Sequence, residues 1–292
     1  IVLGLVSRIA FALIESAAPP VWWRPGMPPY EIPADHVEAF TLGGTVPTAS
    51  MYIDDSMRGD GTHYTASTNE IQTLVQHFQR ARSAPPQKHR WLFEALQLYS
   101  VEGLHVAVFG SVEPVVEAIL LAHGARHVTT VEYNRLTYLH PQLSQVQKTG
   151  SIQELNLSKL GVEAFVSISS FDHDGLGRYG DPVDPEGDLK SMQALKWELP
   201  CPSGFLFLSV PIGPDVLVWN LHRRYGQLRL PLLLNGWSTL ATVGWQEERV
   251  TAEASWRRTY EPVWVLRPAH CNQTAAVSGA ATASNRSARD EF

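Results

Sequence analysis

The chain has 292 residues, 44% of them hydrophobic and 18% charged, and carries a net charge of −6. This length supports one sizeable core, and without a long basic run nucleic acid is excluded as the expected partner. Cys201 and Cys271 are too few and too far apart for a zinc ribbon or a disulfide framework; one bridge between them is left open but not favoured.

The opening stretch "IVLGLVSRIAFALIES" is apolar, but Arg8 and Glu15 interrupt it and it is too short to span a bilayer. It reads as an amphipathic helix or as the stub of a signal or anchor segment, so membrane attachment is expected only through sequence upstream of Ile1. Residues 1–66 form an irregular lead-in rich in Pro, Gly and Thr, in which "RGD" at 58–60 is read as a turn. The main domain is placed at 67–268. It starts with a capping box, Ser67 and Glu70, followed by the apolar face Ile71, Leu74, Val75 and Phe78. Pro85 and Pro86 stop that helix, and "WLFEALQLYS" supplies a second.

Strands and helices then alternate. "LHVAVFG" reads as a buried strand and "EPVVEAILLAHG" as a helix, with Pro114 at its start and Gly124 past its end. "ARHVTTVEYN" and "VEAFVSISS" are strands, "GDLKSMQALKWEL" is a helix stopped by Pro200, and "GFLFLSVPIG" is a continuous apolar strand. "WSTLATVGWQEERVT" and "EPVWVLRP" close the domain as two strands. The tail, 269–292, is small and polar and is not expected to pack. Its ending "RDEF" is similar to a signal for retention in the endoplasmic reticulum, where the sequons at Asn156, Asn272 and Asn285 would be usable. Cytoplasm and reticulum lumen both stay open as locations, and the oligomeric state is not legible.

Apolar strands alternating with helices predict an α/β fold, a mainly parallel sheet with helices on both faces. Ligands of such sheets bind beyond the carboxyl ends of the strands. Gly110 and Ser111 follow the first strand, where a tight turn and a helix N-terminus let a ligand approach the backbone, although such a turn also simply joins strand and helix. Glu132 lies 22 positions after Gly110, at the end of the next strand with Tyr133 beside it. An acid there is suited to accept hydrogen bonds from ribose hydroxyls, which favours an adenosine-bearing ligand.

Four blocks, "VAVFGSVEPVVEAILLAHGARHVTTVEYN", "HDGLGRYGDPVDPEGDL", "FLSVPIGPDVLVWNLHRRYGQLRLPLLLNGW" and "EPVWVLRP", resemble domain of unknown function 268, a family first described from Caenorhabditis; the likeness spans about 50–268. The sheet pattern is similar to that of class I S-adenosylmethionine-dependent methyltransferases. It includes "LPCPSGFLFLSVP", like their Pro-Gly-Gly turn into a late strand, and a closing antiparallel hairpin. The resemblance implies a seven-stranded Rossmann-like sheet and S-adenosylmethionine as cofactor, with Gly110, Ser111, Glu132, Tyr133 and Asp172 toward it. The departure is the first turn, which has one glycine where those enzymes carry several after an acid.

The loop "FDHDGLGRYGDPVDPEGDL", 171–189, follows the strand whose end faces the transferred methyl in the resembling enzymes. His173 is the expected base, since histidine titrates near neutral pH, and Asp174 orients it or acts instead. Arg178, Tyr179 and Asp181 are expected to hold a polar substrate; the bland alternative is a structural network in which Arg178 pairs with Asp181. A divalent metal on Asp172, His173 and Asp174 is less favoured, because adjacent residues on an extended segment point to opposite sides. In "NLHRRYGQLRL", expected as helix or loop, His222 and Arg223, with Arg224 and Tyr225, either bind an anionic or sugar substrate or neutralise the acidic loop. The expected function is methyl transfer to a small polar acceptor, a sugar or glycan among the candidates given nine Trp and nine Tyr. The alternatives are a non-catalytic scaffold and a nicotinamide-dependent enzyme.

Overall fold

The computed structural model describes residues 27–56, 62–148, 152–252, 255–257 and 259–272. The apolar amino-terminal stretch, Arg58-Gly59-Asp60, the RDEF ending and the Asn285 sequon lie outside the described residues.

After a short helical turn, α1 (Val37–Phe40), come β1 (Thr48–Ser50) and β2 (His63–Ala66). Helix α2 (Thr68–Arg80) begins at the capping box read from the sequence: Glu70 N–H donates to Ser67 Oγ at 3.3 Å, and Ser67 N–H donates to the Glu70 carboxylate at 2.7 Å. Helix α3 (Arg90–Leu98), β3 (His105–Phe109), α4 (Val115–Ala122) and β4 (His127–Glu132) follow as expected. β5 (Arg135–Tyr138) and β6 (Leu143–Gln147) were not expected as strands. Then come β7 (Ala164–Ile168), α5 (Gly187–Glu198), β8 (Phe205–Ser209), the pair β9 (Val216–Trp219) and β10 (His222–Arg224), α6 (Arg229–Leu233), β11 (Trp237–Val243) and β12 (Val263–Pro268). "HRR" is therefore a strand rather than the helix or loop the sequence suggested; it pairs antiparallel with β9.

The main sheet has seven strands in the order β11-β12-β8-β7-β3-β4-β6. β6, β4, β3, β7 and β8 run parallel, β12 is antiparallel to β8, and β11 is antiparallel to β12. The fold is thus the predicted α/β sheet with an antiparallel final pair. Strand alternation sorts the core onto both faces. Val106, Val108, Phe205, Phe207, Val263 and Val265 pack with residues of α2, α3 and α4 on one face. Ala107, Phe109, Leu206, Leu208, Trp264 and Leu266 pack with residues of α5 and α6 on the other. Each buried Val, Leu or Phe among these contributes about 1.5–3 kcal/mol over leaving it in water.

The lead-in is not an appendage. β1 pairs parallel with β9, so that β1, β9 and β10 make a second, three-stranded sheet, and β2 pairs parallel with β5. Phe40 and Val46 share a small core with Leu176, Leu217 and Trp219. Asn220 clamps the lead-in backbone, accepting from Ile53 N–H at 2.8 Å and donating to Ile53 O at 2.9 Å. These pieces cap the carboxyl ends of the parallel strands. No helix among the described residues is long and apolar enough to cross a membrane.

Cys201 and Cys271 form the disulfide that the sequence left open, joining the α5–β8 connection to the chain just past β12. The bridge closes a loop of 70 residues. Chain-entropy arguments put its effect at about 4 kcal/mol. Reduction is expected to lower the stability read by urea denaturation by about that amount, and Cys201→Ala together with Cys271→Ala should match the reduced protein.

Candidate functional site

Strand connections leave β3 in opposite directions, through β4 to β6 on one side and through β7 to β8 on the other. The switch point of this sheet therefore lies between β3 and β7, where open α/β sheets bind ligands. A cavity of about 210 Å³ opens there. Gly110, Glu132 and Tyr133 reach it from the strand ends, and His173, Asp174, Arg178 and Tyr179 from the 171–189 loop. Seven of the predicted site residues are thereby brought to one place.

Glu132 is buried at the end of β4. Its Oε1 accepts from the Asn134 backbone at 3.1 Å and from Asn134 Nδ2 at 2.8 Å, while Asn134 Oδ1 accepts from Thr62 N–H at 2.9 Å. Burial pushes the Glu132 carboxyl up, and the donors from Asn134 and Tyr133 oppose the shift. The acid thus stands in a fixed position on the cavity wall. Gly110 has φ +69°, and a Cβ there would lie 2.1 Å from Ser170 Oγ. Its N–H donates to Val131 O at 3.0 Å. Packing of the strand ends alone accounts for this glycine, because a side chain would need both a strained backbone and Ser170's space.

Lys148, just after β6, was not singled out in the sequence. It is buried, with Nζ 4.6 Å from the Tyr133 ring centroid and donating at 2.9 Å to Asp174 Oδ2, which also accepts from Ser191 Oγ at 2.5 Å. Asp55, in the lead-in, was missed as well: it accepts from Arg178 Nε at 2.7 Å, and its own N–H donates to Arg178 O. The alternative pairing of Arg178 with Asp181 does not form; Arg178 pairs with Asp55 instead. A lysine beyond a weakly patterned edge strand and an acid in a Pro-rich lead-in carry no local signal of the site they join.

His173 Nδ1 lies 2.5 Å from Leu221 O, an arrangement in which Nδ1–H donates, and Nε2 stands 3.4 Å from Asp172 Oδ2. Burial, aided by the Arg178 charge, pushes the ring's pKa down to about 4. His173 is thus a neutral, tethered wall of the cavity, a weaker base than the sequence suggested.

The remaining predicted residues do not line this cavity. Asp172 is fully buried beneath it between His173 and His222, and neither of its oxygens has a hydrogen-bond partner. Asp181 folds its own loop, accepting from the N–H groups of Gly175, Gly177 and Tyr179. His222 is buried with Nδ1 3.9 Å from Asp172. Arg223 spends its guanidinium on backbone: Nη1 donates to Asp174 O at 2.6 Å and Nη2 to Asp184 O at 3.3 Å. Neither arm is left for an anionic substrate. Ser111 turns toward Glu117, its Oγ 2.9 Å from Oε2, and lines a neighbouring cavity instead. Asp172, His173 and Asp174 do not converge on one point, as Asp174 is committed to Lys148 and Ser191. Among the described residues, the one cluster with metal-ligand spacing is Cys201, His270 and Cys271, whose sulfurs are bonded to each other.

Residues 103–262 match the family model described as "Caenorhabditis protein of unknown function, DUF268". The chain belongs to that family. Within this DUF268 chain the match runs from the turn before β3 to the residue before β12, and so contains every cavity residue except those of the lead-in. No curated protein matches the sequence. Solved structures similar to it include the Burkholderia thailandensis 1,6-didemethyltoxoflavin-N1-methyltransferase with bound 1,6-didemethyltoxoflavin and S-adenosylhomocysteine, at 15% identity over 70% of this chain and 91% of that one, TM-score 0.43. An S-adenosylmethionine-dependent methyltransferase from Clostridium acetobutylicum aligns at 9% identity over 68% and 98%, TM-score 0.39. One from Leishmania major aligns at 8% over 68% and 82%, TM-score 0.41.

Burial pushes the carboxyl of Asp172 up to about 8 and that of Glu117 up to about 7. Both acids are held protonated where the unfolded chain would ionise, so the stability they carry is full below their unfolded pKa values of 3.8 and 4.5 and is lost as pH rises through 7 to 8. His173 and His222, both pushed down to about 4 by burial, act in the opposite sense: their contribution is full above pH 6.5 and is lost as pH falls through 4. Between about pH 6.5 and 8 the acids alone act. The urea midpoint is expected to fall across that window, and Asp172→Asn should flatten the fall; an unchanged slope would remove Asp172 from this role.

Proposed function

We propose that this protein transfers a methyl group from S-adenosylmethionine to a small polar acceptor at the β3/β4/β7 strand ends. The observation that supports it most is Glu132: a buried carboxylate at the end of the strand beside the switch point, oriented by Asn134 and facing a cavity. Such an acid accepts the two hydroxyls of a ribose. The 210 Å³ cavity is small beside the ~300–1,000 Å³ of most ligand sites, but a second cavity of about 620 Å³ adjoins it, sharing Gly110, Val112 and Ser169 as wall. Together they suit a nucleoside ligand with a second small molecule beside it. A dinucleotide is less well served, since the room over Gly110 that a pyrophosphate would use is taken by Ser170.

In this reading Glu132 holds the ribose, Tyr133 and the neighbouring aromatic residues Phe109 and Phe171 form the less polar wall, and the Lys148–Asp174 pair closes the far side. S-adenosylmethionine, when bound, supplies a methyl group activated by a sulfonium. The chain's part is to exclude water, fix the nucleoside and align the acceptor, which lowers the entropic part of the barrier. Arg178, held by Asp55 and lying over the Tyr179 ring at 4.8 Å, flanks the entrance. The Cys201–Cys271 bridge further supports an oxidising compartment for the protein.

Calorimetric titration with S-adenosylhomocysteine tests the reading. Wild-type protein should bind it, Glu132→Ala should weaken binding roughly 10- to 150-fold, as loss of hydrogen bonds to a charged group does, and His173→Ala should retain binding. Failure of S-adenosylhomocysteine to bind, with a nicotinamide cofactor or nucleotide sugar binding instead, would refute methyl transfer.

A further inference from the structure

The methyl-transfer reading leaves open what occupies the larger, 620 Å³ cavity, which shares Gly110, Val112 and Ser169 with the first. Its lining includes Ile168 and Ser169 at the end of β7 and Thr259 and Glu261 just ahead of β12. Ser169, just past β7, holds φ +51°, a left-handed backbone that costs a non-glycine residue about 1–3 kcal/mol and tends to persist at functional sites. Ser209, at the end of β8, fixes two neighbours at once. Its carbonyl accepts from Ser169 N–H at 2.8 Å, and its hydroxyl donates to Glu261 O at 2.9 Å. Glu261 lines the cavity together with Thr259 and Ser169. Burial, and then the nearby Asp172, push this partly buried carboxyl up. Ser169 is common to both cavities and Glu261 interacts with His173 of the first, so the acid sits beside the shared wall.

Trp91 also lines the cavity and is rigid by contact: a Cβ on Gly244 would lie 2.3 Å from its ring, and Tyr260 meets it edge-on at 5.5 Å. His89, its pKa pushed down by burial, adds a neutral imidazole. Among the described residues, the lining contains no arginine, and its single lysine, Lys88, is exposed, as is Glu113. Among the described lining residues an anionic acceptor would find no buried cation. Hydroxyls, an amide, an imidazole and a carboxylate around an indole form a surface for an uncharged molecule rich in hydroxyl groups.

Resting on the methyl-transfer reading, we propose that this cavity is the acceptor compartment, that its acceptor is a neutral sugar, and that Glu261 receives the proton of the methylated hydroxyl. In the step, the sugar oxygen forms the new bond to the methyl carbon while the carbon–sulfur bond of the sulfonium breaks. The electron pair of that bond goes to sulfur, leaving a thioether, and the hydroxyl proton goes to the Glu261 carboxylate.

Saturation-transfer NMR with the methyl glycosides of glucose, galactose and mannose, against glucose 6-phosphate and spermidine as charged controls, tests the compartment in protein with and without S-adenosylhomocysteine. At least one neutral glycoside should bind, and Glu261→Gln should weaken it at least five-fold while leaving S-adenosylhomocysteine affinity unchanged. No binding of any neutral glycoside, preference for a charged control, or indifference to Glu261→Gln overturns the proposal. Failure of S-adenosylhomocysteine alone, with Glu261-dependent glycoside binding intact, would instead sink methyl transfer and leave a sugar site. Tritiated-methyl transfer from S-adenosylmethionine to the bound glycoside should rise with pH through the titration of Glu261 and lose that limb in Glu261→Gln; a retained limb overturns the proton-accepting role.

Discussion

The guanidinium of Arg223 holds the site together. It is 2% exposed, lies 5.7 Å from the centre of the Phe40 ring, and reaches backbone carbonyls at both ends of the polar loop, Asp172 and Asp174 near its start, Asp184 and Pro185 near its end. A loop rich in glycine and acids has many conformations open to it in water. One planar fork with several donors at fixed angles selects among them, a task a lysine's single ammonium could not reproduce. Behind it, Asp188 accepts two hydrogen bonds from Arg229 and one from Tyr225 and lies 3.8 Å from Arg223 Nε, so one buried carboxylate faces both guanidinium groups.

Because the loop is pinned from beneath, its acids divide by position rather than by type. Asp181 faces inward and satisfies three N–H groups of its own turn, whereas Asp174 faces the cavity with Lys148. The same division affects the imidazoles. His173 and His222 stand with their rings nearly parallel, 6.3 Å apart, on either side of a buried carboxyl, and burial keeps all three groups neutral at pH 7. These three side chains store polarity beneath the cavity without adding charge of their own.

Residues 27–56 change the character of the cap. Through β1, Asn220 and the Asp55–Arg178 pair they bring polar groups to one side of the cavity that the main sheet cannot supply. The site is thus assembled from three distant parts of the chain, the lead-in, the strand ends and the 171–189 loop, and none would form it alone.

What the sequence determined by itself was whatever depends on near neighbours. The Ser67–Glu70 box starts a helix because its donors and acceptors lie within one turn. The apolar runs at 105–109, 164–168 and 205–208 form buried strands because solvent must be excluded from both their faces. Glu132 follows its strand into the cavity because a strand's end is where its last side chain emerges. What only the tertiary structure decided was partnership: that Arg178 meets Asp55 rather than Asp181, that Arg223 serves backbone rather than substrate, that Cys201 meets Cys271, and that Lys148 and Glu261 reach the two cavities. The physical reason is distance along the chain. Such pairs lie from tens to more than a hundred positions apart, and a charge carries the same local signature whether it will meet solvent, a ligand or a buried counter-charge.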